Sequence, residues 1–286
     1  MESCPSYEYS LPITPTIQEV IDLVQHFVPH EPSANCSFKQ FTDGLTNRLF
    51  KIAYDDGTER NQILIRIYGE KTELLIDREK ELKSMIELEK YGFAPKVYGK
   101  FVNGVCYGYF SGKPFTNLDI IDTAKSALVA AHLARFHTVT IPGIPTNPSL
   151  FDTLHKWQNE VKNLNSEQFS QEEFENNGFY NENGFSNELT FLKDKMKEFN
   201  KDWEVVFCHN DLLSGNIIFK EDSVQFIDYE YGSYNYLLFD VANHLCESMG
   251  VDVDLSVINF YLILFNFNFL SKFFYWIAAI PIGRFY

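Results

Sequence analysis

The stretch from Trp203 to Glu247 reads WEVVFCHNDLLSGNIIFKEDSVQFIDYEYGSYNYLLFDVANHLCE, and it decides how the rest of the chain is interpreted. The apolar run Glu204–Cys208 predicts a strand that leads into a polar loop. Two further apolar runs around a turn predict a β-hairpin. Asp211 and Asn216 lie in the loop, and Asp228 ends the last strand. The stretch therefore predicts a polar site built where strands end.

Oxygen-bearing side chains in this pattern suit phosphoryl transfer, which needs a carboxylate near the attacking hydroxyl and hard oxygen ligands for Mg²⁺. We expect Asp211 to be the catalytic carboxylate, with Asn216 and Asp228 as metal ligands brought together by the hairpin. Glu230 is a further candidate metal ligand, and His209 is predicted to brace the loop. The order resembles the catalytic segment of protein-kinase-like phosphotransferases. The alternative is that the loop side chains only satisfy backbone groups.

Composition limits the choice of partner and compartment. With 286 residues, 45% of them hydrophobic, the chain can form one two-lobed domain or two small ones. The formal net charge of −15 argues against nucleic acid as a partner and is compatible with a cationic substrate. The five cysteines are scattered without zinc-site spacing, so we expect a reducing, cytoplasmic compartment. The first residues lack the basic and apolar regions of a signal peptide.

The N-terminal part predicts a small β-rich lobe. A flexible leader over residues 1–15 precedes a helix that begins at Thr16. Alternating apolar residues predict a hairpin over Phe38–Tyr54 and a further strand over Gln62–Tyr68. Arg66 lies in mid-strand, where a cation needs a partner and where its forked donors would suit phosphate oxygens. The alternative is an edge-strand arginine whose head lies in water.

A charged helix over Asp77–Tyr91 offers a partner for that arginine. Glu79 and Glu81 both come before the apolar residues of this helix in the sequence, and we prefer Glu81 as the partner of Arg66. The alternative is that either glutamate lies on a solvated face of the helix. The remaining predicted elements are strands over Pro95–Phe101 and Val105–Phe110, a linker at Ser111–Pro114, helices over Leu118–His137, Leu150–Leu164 and Glu188–Phe199, and an exposed insertion over Asn165–Asn187.

One face of the last predicted helix carries polar groups at helical spacing. They recur at i, i+3, i+4 and i+7, and we expect this face to hold the His209–Asn216 loop with Asp240 as the anchor. The residues of this face are Asp240, Asn243, His244 and Glu247.

Several motifs together resemble the choline/ethanolamine kinases. The resemblance extends from about Glu19 to Gly250, and HNDLL followed closely by NII is more similar to the ethanolamine kinases than to the choline kinases. The motifs that carry it are FCHNDLL from Phe207, NII from Asn216, IDYEY from Ile227, FTDGLTN from Phe41, LIRIYG from Leu64 and APKVYG from Ala94.

This resemblance implies an α+β, two-lobed protein-kinase-like fold: an N-lobe over 16–112, a C-lobe over 113–250 and a divergent tail over 251–286. It implies ATP and Mg²⁺ as cofactors and transfer of the γ-phosphate to the hydroxyl of ethanolamine, the first step of the CDP-ethanolamine route to phosphatidylethanolamine. The implied roles are Asp211 as base or hydroxyl-positioning group, Asn216 and Asp228 as Mg²⁺ ligands, Glu230 as a second-metal ligand, Arg66 as an ATP contact paired with Glu81, and Thr46 and Asn47 in the phosphate loop.

The tail departs from the family's pattern, since the helices that follow in ethanolamine kinases look shortened or missing. Phe267–Ala279 still resembles the family's aromatic helix, in which Tyr275 and Trp276 are candidate amine-binding rings or simply core. A membrane span over Val257–Ile282 is an alternative, although Lys272 would be costly there, and we expect no membrane partner. A regulatory isoform that binds a full-length kinase, a kinase for choline or another small amine, and a homodimer are also left open.

Overall fold

The computed structural model describes residues 4–28, 36–41, 47–55, 60–69, 72, 75–163, 182–198 and 203–247. Its strands are β1 (Ser6–Tyr7), β2 (Ser37–Phe41), β3 (Arg48–Asp55), β4 (Arg60–Ile67), β5 (Val97–Phe101), β6 (Gly104–Gly108), β7 (Lys113–Pro114), β8 (Val205–Cys208), β9 (Ile217–Lys220), β10 (Ser223–Phe226) and β11 (Ser233–Tyr236). Its helices are α1 (Ile17–Phe27), α2 (Arg78–Lys90), α3 (Asn117–Ile120), α4 (Thr123–Phe136), α5 (Leu150–Asn163), α6 (Glu182–Glu198) and α7 (Leu237–Glu247).

The N-terminal lobe is built on a sheet that runs in the order β1-β5-β6-β4-β3-β2 in the part of the chain that the structure describes. The predicted hairpin is present, with β2 antiparallel to β3. On β4, Ile63, Ile65 and Ile67 all turn to one face and pack in the core against α1. The opposite face carries Arg66, as the period-2 alternation predicts. Strand periodicity therefore decides which way the buried cation points.

The flexible leader predicted for residues 1–15 is not what the structure has at residues 4–15. Strand β1 pairs in parallel with β5, and Leu11 is buried with only 2% of its surface exposed. The backbone N–H groups of Lys100 and Val102 donate to the carbonyls of Pro5 and Tyr9. The segment was missed because a two-residue strand has too short a pattern to show periodicity.

Helix α2 buries one of its sides in the interior of the molecule. The side chain of Asp77 caps it by accepting from the N–H of Lys80 at 3.0 Å. Leu82, Met85 and Leu88 are buried on one side, and Glu81 is buried on the same turn as Leu82. A carboxylate so placed must be paired inside the protein.

The single helix predicted over Leu118–His137 is wrong, because the chain breaks between α3 and α4. The side chain of Asp122 accepts hydrogen bonds from the N–H groups of Ala124 and Lys125 at 2.9 and 3.2 Å, which starts a new helix there. A second boundary was also wrong. Helix α6 begins at Glu182, six residues earlier than predicted and inside the stretch assigned to an exposed insertion.

The C-terminal lobe has an aromatic core that lies behind the predicted site. The ring of Phe136 is fully buried and contacts the rings of Phe207, Phe226 and Tyr229, with centroids 5.9 to 6.0 Å apart. Strands β9 and β10 form the predicted hairpin. Strand β11 was not predicted; it pairs antiparallel with β8 and so closes the chain back onto the loop that follows Cys208. Among the described residues no helix is both long and apolar enough to cross a membrane.

Candidate active site

The polar loop after β8 is tied to helix α7 through one buried carboxylate. Asp240 accepts from the backbone N–H groups of His209 and Asn210 at 2.8 and 2.7 Å. Its side chain is also in contact with the Nε2 atom of His137, 2.9 Å away. The predicted anchor is therefore in place, and a carboxylate with three such donors can be buried completely, as Asp240 is.

Two further residues of the predicted polar face of α7 also bind the loop after β8. Asn243 accepts from the N–H of Leu212, and the Nδ1 of His244 lies 3.1 Å from the carbonyl of that residue. Asn210 adopts a left-handed backbone with φ of 65°, which turns its side chain amide toward β11. There it donates to the hydroxyl of Ser233 at 2.8 Å. The loop is thus held on both sides of Asp211.

Asp211 and Asn216 face each other across this loop. The side-chain amide of Asn216 donates to the carbonyl oxygen of Asp211 at 2.8 Å and to its Oδ2 at 3.2 Å. The carbonyl of Asn216 also accepts from the N–H of Ile227, the residue before Asp228. The hairpin therefore brings the two ends of the predicted set together, as expected from its register.

His209 contacts the far side of the same junction. It is fully buried, and its Nε2 lies 2.9 Å from the carbonyl oxygen of Ile227, so this nitrogen carries the hydrogen. Burial lowers the pKa of His209 below its ordinary value. A neutral imidazole in this position links the loop to the strand end that carries Asp228, in line with the predicted brace.

Asp228 lies beside the cation of the N-terminal lobe. Its backbone is left-handed, with φ of 65°, and its Oδ1 is 3.0 Å from Nη1 of Arg66. The Nη2 of the same guanidinium contacts Oε1 of Glu81, which is the pairing predicted from the sequence. Glu79 instead pairs with Lys100 at the surface. Burial alone would lower the pKa of Arg66, but Glu81 and the other negative groups around it hold this pKa above its ordinary value.

A second arginine, which the sequence did not single out, completes the charge network. Nη1 of Arg78 lies 3.0 Å from Oε2 of Glu81 and 3.1 Å from Oε2 of Glu230. Its Nη2 donates to Oδ1 of Asn47 and to Oγ1 of Thr72 at 3.3 and 2.9 Å. No sequence signal marks this residue, because it stands in the charged first turn of α2, which resembles a solvated helix end.

The three acidic groups of this network lie close enough to share a cation. One oxygen each from Glu81, Asp228 and Glu230 lies within 4.8 Å of the others. Burial and the neighbouring charge of Asp228 raise the pKa of Glu230 to about 7. Carboxylate oxygens are the ligands that Mg²⁺ prefers, and the side chain of Asp228 is 35% exposed, so the chemistry and access fit such an ion. Asn216 precedes the first strand of the hairpin that leads to Asp228, and its carbonyl accepts from the N–H of Ile227 at 2.9 Å.

A different cluster of potential metal ligands is formed by His137, Cys208 and Asp240, whose atoms also lie within 4.8 Å of one another. Its groups already have protein partners: Asp240 holds the loop, and the Sγ of Cys208 lies 3.6 Å from the carbonyl of Tyr236. Burial raises the pKa of the Cys208 thiol, which disfavours the thiolate that a metal would need. We therefore interpret the cluster of His137, Cys208 and Asp240 as a structural support of the loop after β8.

Some predicted residues lie outside the described part of the chain. They are Thr46 of the phosphate loop, the aromatic pair Tyr275 and Trp276, and the whole tail over 251–286, with the span predicted as an alternative over Val257–Ile282. The side chain of Glu247, the last residue of the predicted polar helix face, belongs to the same group.

Comparisons with known proteins agree with this geometry. A family model described as choline/ethanolamine kinase matches residues 38–264. Ethanolamine kinase 2 of Mus musculus is 38% identical over 233 residues, which cover 81% of this chain and 58% of the relative. Ethanolamine kinase 1 of Homo sapiens is 37% identical over 246 residues, covering 83% of this chain and 52% of the relative.

Among solved structures, an ethanolamine kinase of Plasmodium vivax superimposes with a TM-score of 0.68 at 27% identity, covering 79% of this chain and 64% of that one. The two-lobed α+β fold predicted from the sequence is therefore confirmed. The chain spans little more than half the length of these two ethanolamine kinases.

Proposed function

Because the chain belongs to the choline/ethanolamine kinase family, we propose that it transfers the γ-phosphate of ATP to the hydroxyl group of ethanolamine. The product is phosphoethanolamine, and the reaction is the first step of the CDP-ethanolamine route to phosphatidylethanolamine. The observation that carries the proposal is the pairing of two halves of a site. A loop carboxylate, Asp211, is held through Asp240, and Asp228 meets Arg66 across the lobes.

Asp211 is the residue that we assign to the acceptor. Its Oδ2 is oriented by the amide of Asn216, and the loop on either side is fixed by buried hydrogen bonds. A carboxylate so placed accepts the proton of the attacking hydroxyl or aligns that hydroxyl with the phosphorus. The catalytic loop thus contributes position, because the phosphoryl transfer itself needs little covalent help from the protein.

Asp228, Glu230 and Asn216 would hold Mg²⁺, and Arg66 would contact ATP phosphates. When bound, Mg²⁺ neutralises the charge that develops on the phosphate oxygens. Arg66 is kept charged by its carboxylate neighbours and is fixed by Glu81, so its guanidinium offers a pre-set donor group. Support for an oxygen-ligated cation comes from the closeness of the carboxylates in this network.

The remaining assignments follow from the family. Thr46 and Asn47 belong to the loop that covers the phosphates, and Tyr275 and Trp276 are ring faces for the ammonium group. The net charge of −15 favours a cationic acceptor at long range, and the compartment that we propose is the cytoplasm.

A coupled ADP-release assay with ethanolamine and with choline tests the proposal. We expect Mg²⁺-dependent ADP release with ethanolamine, and a loss of about 10²- to 10⁴-fold in kcat for Asp211→Asn, which removes the carboxylate and keeps the shape. Asp194→Asn is the matched control, because that aspartate lies on the exposed face of α6 and should leave the rate unchanged. A folded preparation that binds Mg·ATP and releases no ADP with either amine contradicts the proposal.

A further inference from the structure

Arg78 contacts more of the network than any single catalytic assignment explains. Its side chain is 13% exposed and its guanidinium stacks on the ring of Tyr68, 4.4 Å from the ring centroid. The same group reaches Glu81 of its own helix, Glu230 of the other lobe, and Asn47 and Thr72 of the N-terminal lobe. A surface arginine makes few such contacts, so this one is fixed in a defined orientation.

The two arginines divide the acidic groups between them in an ordered way. Glu81 receives Arg66 on Oε1 and Arg78 on Oε2. Arg66 then reaches Asp228, and Arg78 reaches Glu230, two residues further along the chain. Asp228 and Glu230 therefore each have their own arginine from the N-terminal lobe, and both arginines contact Glu81.

Arg78 also connects Glu230 to the segment that precedes β3. Its Nη1 lies 3.1 Å from Glu230, and its Nη2 donates to Oδ1 of Asn47, which also accepts from the N–H of Gly69 at 3.3 Å. The planar fork of a guanidinium can make these bonds at once, whereas a lysine ammonium cannot reproduce the fork. The geometry of the contacts, beyond the positive charge, is therefore what distinguishes Arg78.

We propose that Arg78 is a positioning residue that sets the carboxylate of Glu230 for the metal–phosphate complex and couples it to the Asn47 end of the phosphate loop. This inference rests on the proposed function. Groups that orient a metal ligand typically change metal affinity or activity by about 10- to 100-fold when they are removed. The effect should therefore be seen in the Mg²⁺ dependence rather than in the use of the amine.

The test is a double-mutant cycle between Arg78→Lys and Glu230→Gln. We expect Arg78→Lys to raise the Mg²⁺ concentration for half-maximal rate by about 10-fold, with the KM for ethanolamine within about twofold of the original. In the Glu230→Gln background the same change should have little further effect, because the group that it positions is already altered. Arg135→Lys, an exposed arginine at the end of α4, is the control.

Binding of Mg·ATP measured by calorimetry separates the two proposals. A protein that binds Mg·ATP and phosphorylates no amine contradicts the proposed function. In that case the double-mutant cycle can still be measured from the dissociation constants of Mg·ATP for the four proteins. Should Arg78→Lys fail to fold, Thr72→Val removes one anchor of Nη2 and is expected to shift the Mg²⁺ dependence in the same direction by about threefold. An unchanged Mg²⁺ dependence, or an equal effect with and without Glu230, refutes the role of Arg78.

Discussion

Replacing Asp240 with asparagine removes one negative charge from a completely buried position and keeps the side-chain shape. In the structure this carboxylate faces three donors: the N–H groups of His209 and Asn210, and the Nε2 of His137. A carboxamide has only one acceptor oxygen, and its NH₂ group can only donate. The substitution therefore turns one favourable contact into a clash of donors.

The magnitude follows from counting these bonds. In the best orientation the amide oxygen still accepts from His209 and His137, and the NH₂ faces the N–H of Asn210. A buried donor without its acceptor costs about 1–3 kcal/mol, and each bond that loses charge assistance weakens by about 1 kcal/mol. Relief from burying a charge offsets part of this loss. We expect the free energy of unfolding to fall by about 3 kcal/mol.

Urea unfolding and the ADP-release assay measure the two consequences. Because Asn210 adjoins Asp211, we also expect kcat to fall by about 10²-fold in the folded fraction, as small misplacements of reacting groups do. Asp222→Asn, in the exposed turn between β9 and β10, is the matched control. If Asp240→Asn unfolds at the same urea concentration as the original protein and keeps its kcat, the loop is not held in the way described.

Two further substitutions probe the buried charges. Glu81→Gln leaves the buried Arg66 and the partly buried Arg78 without their shared carboxylate and should lower the free energy of unfolding by about 3–5 kcal/mol. Glu79→Gln at the surface should change this free energy little, and equal urea midpoints for the two variants would contradict the network. Burial lowers the pKa of His132 to about 4. The unfolded chain therefore binds a proton below pH 6.5 that the folded chain refuses until about pH 4, so acid destabilises the fold in this window. His132→Gln should flatten the decline in the free energy of unfolding between pH 7 and 5, and His155→Gln, at an exposed position, should not. If the pH dependence changes in His155→Gln and not in His132→Gln, His132 is not the group responsible.

The loop, the hairpin and the Arg66–Glu81 pair could be predicted because their signals are local. Polar residues follow apolar runs at Cys208 and Ile227, and an arginine in mid-strand demands a partner that the next helix can supply. These features depend on period-2 alternation and on the chemistry of single residues. Both properties can be evaluated without knowing which distant segments meet.

Features set by distant contacts could not be predicted in this way. Strand β11 has the sequence SYNY, whose alternation of polar and aromatic residues is too short to stand out, and its paired residues in β8 lie 25 to 31 positions earlier. Arg78 stands in a charged first turn that resembles a solvated helix end, and only the fold brings Glu230 to it. Asp122 can be a helix residue or a cap, a choice that its residue type leaves open, and in the structure it caps α4.

Strand β1 has a consequence for handling the protein rather than for its chemistry. It occupies the outer edge of the N-terminal sheet, where β5 would otherwise expose unpaired backbone groups. An expression clone trimmed at residue 12 would keep every side chain that we propose for catalysis. It would, however, lose Leu11 from the core and offer β5 to the sheets of neighbouring molecules. Such a truncation should reveal itself through poor solubility and concentration-dependent aggregation while freshly prepared material still turns over substrate.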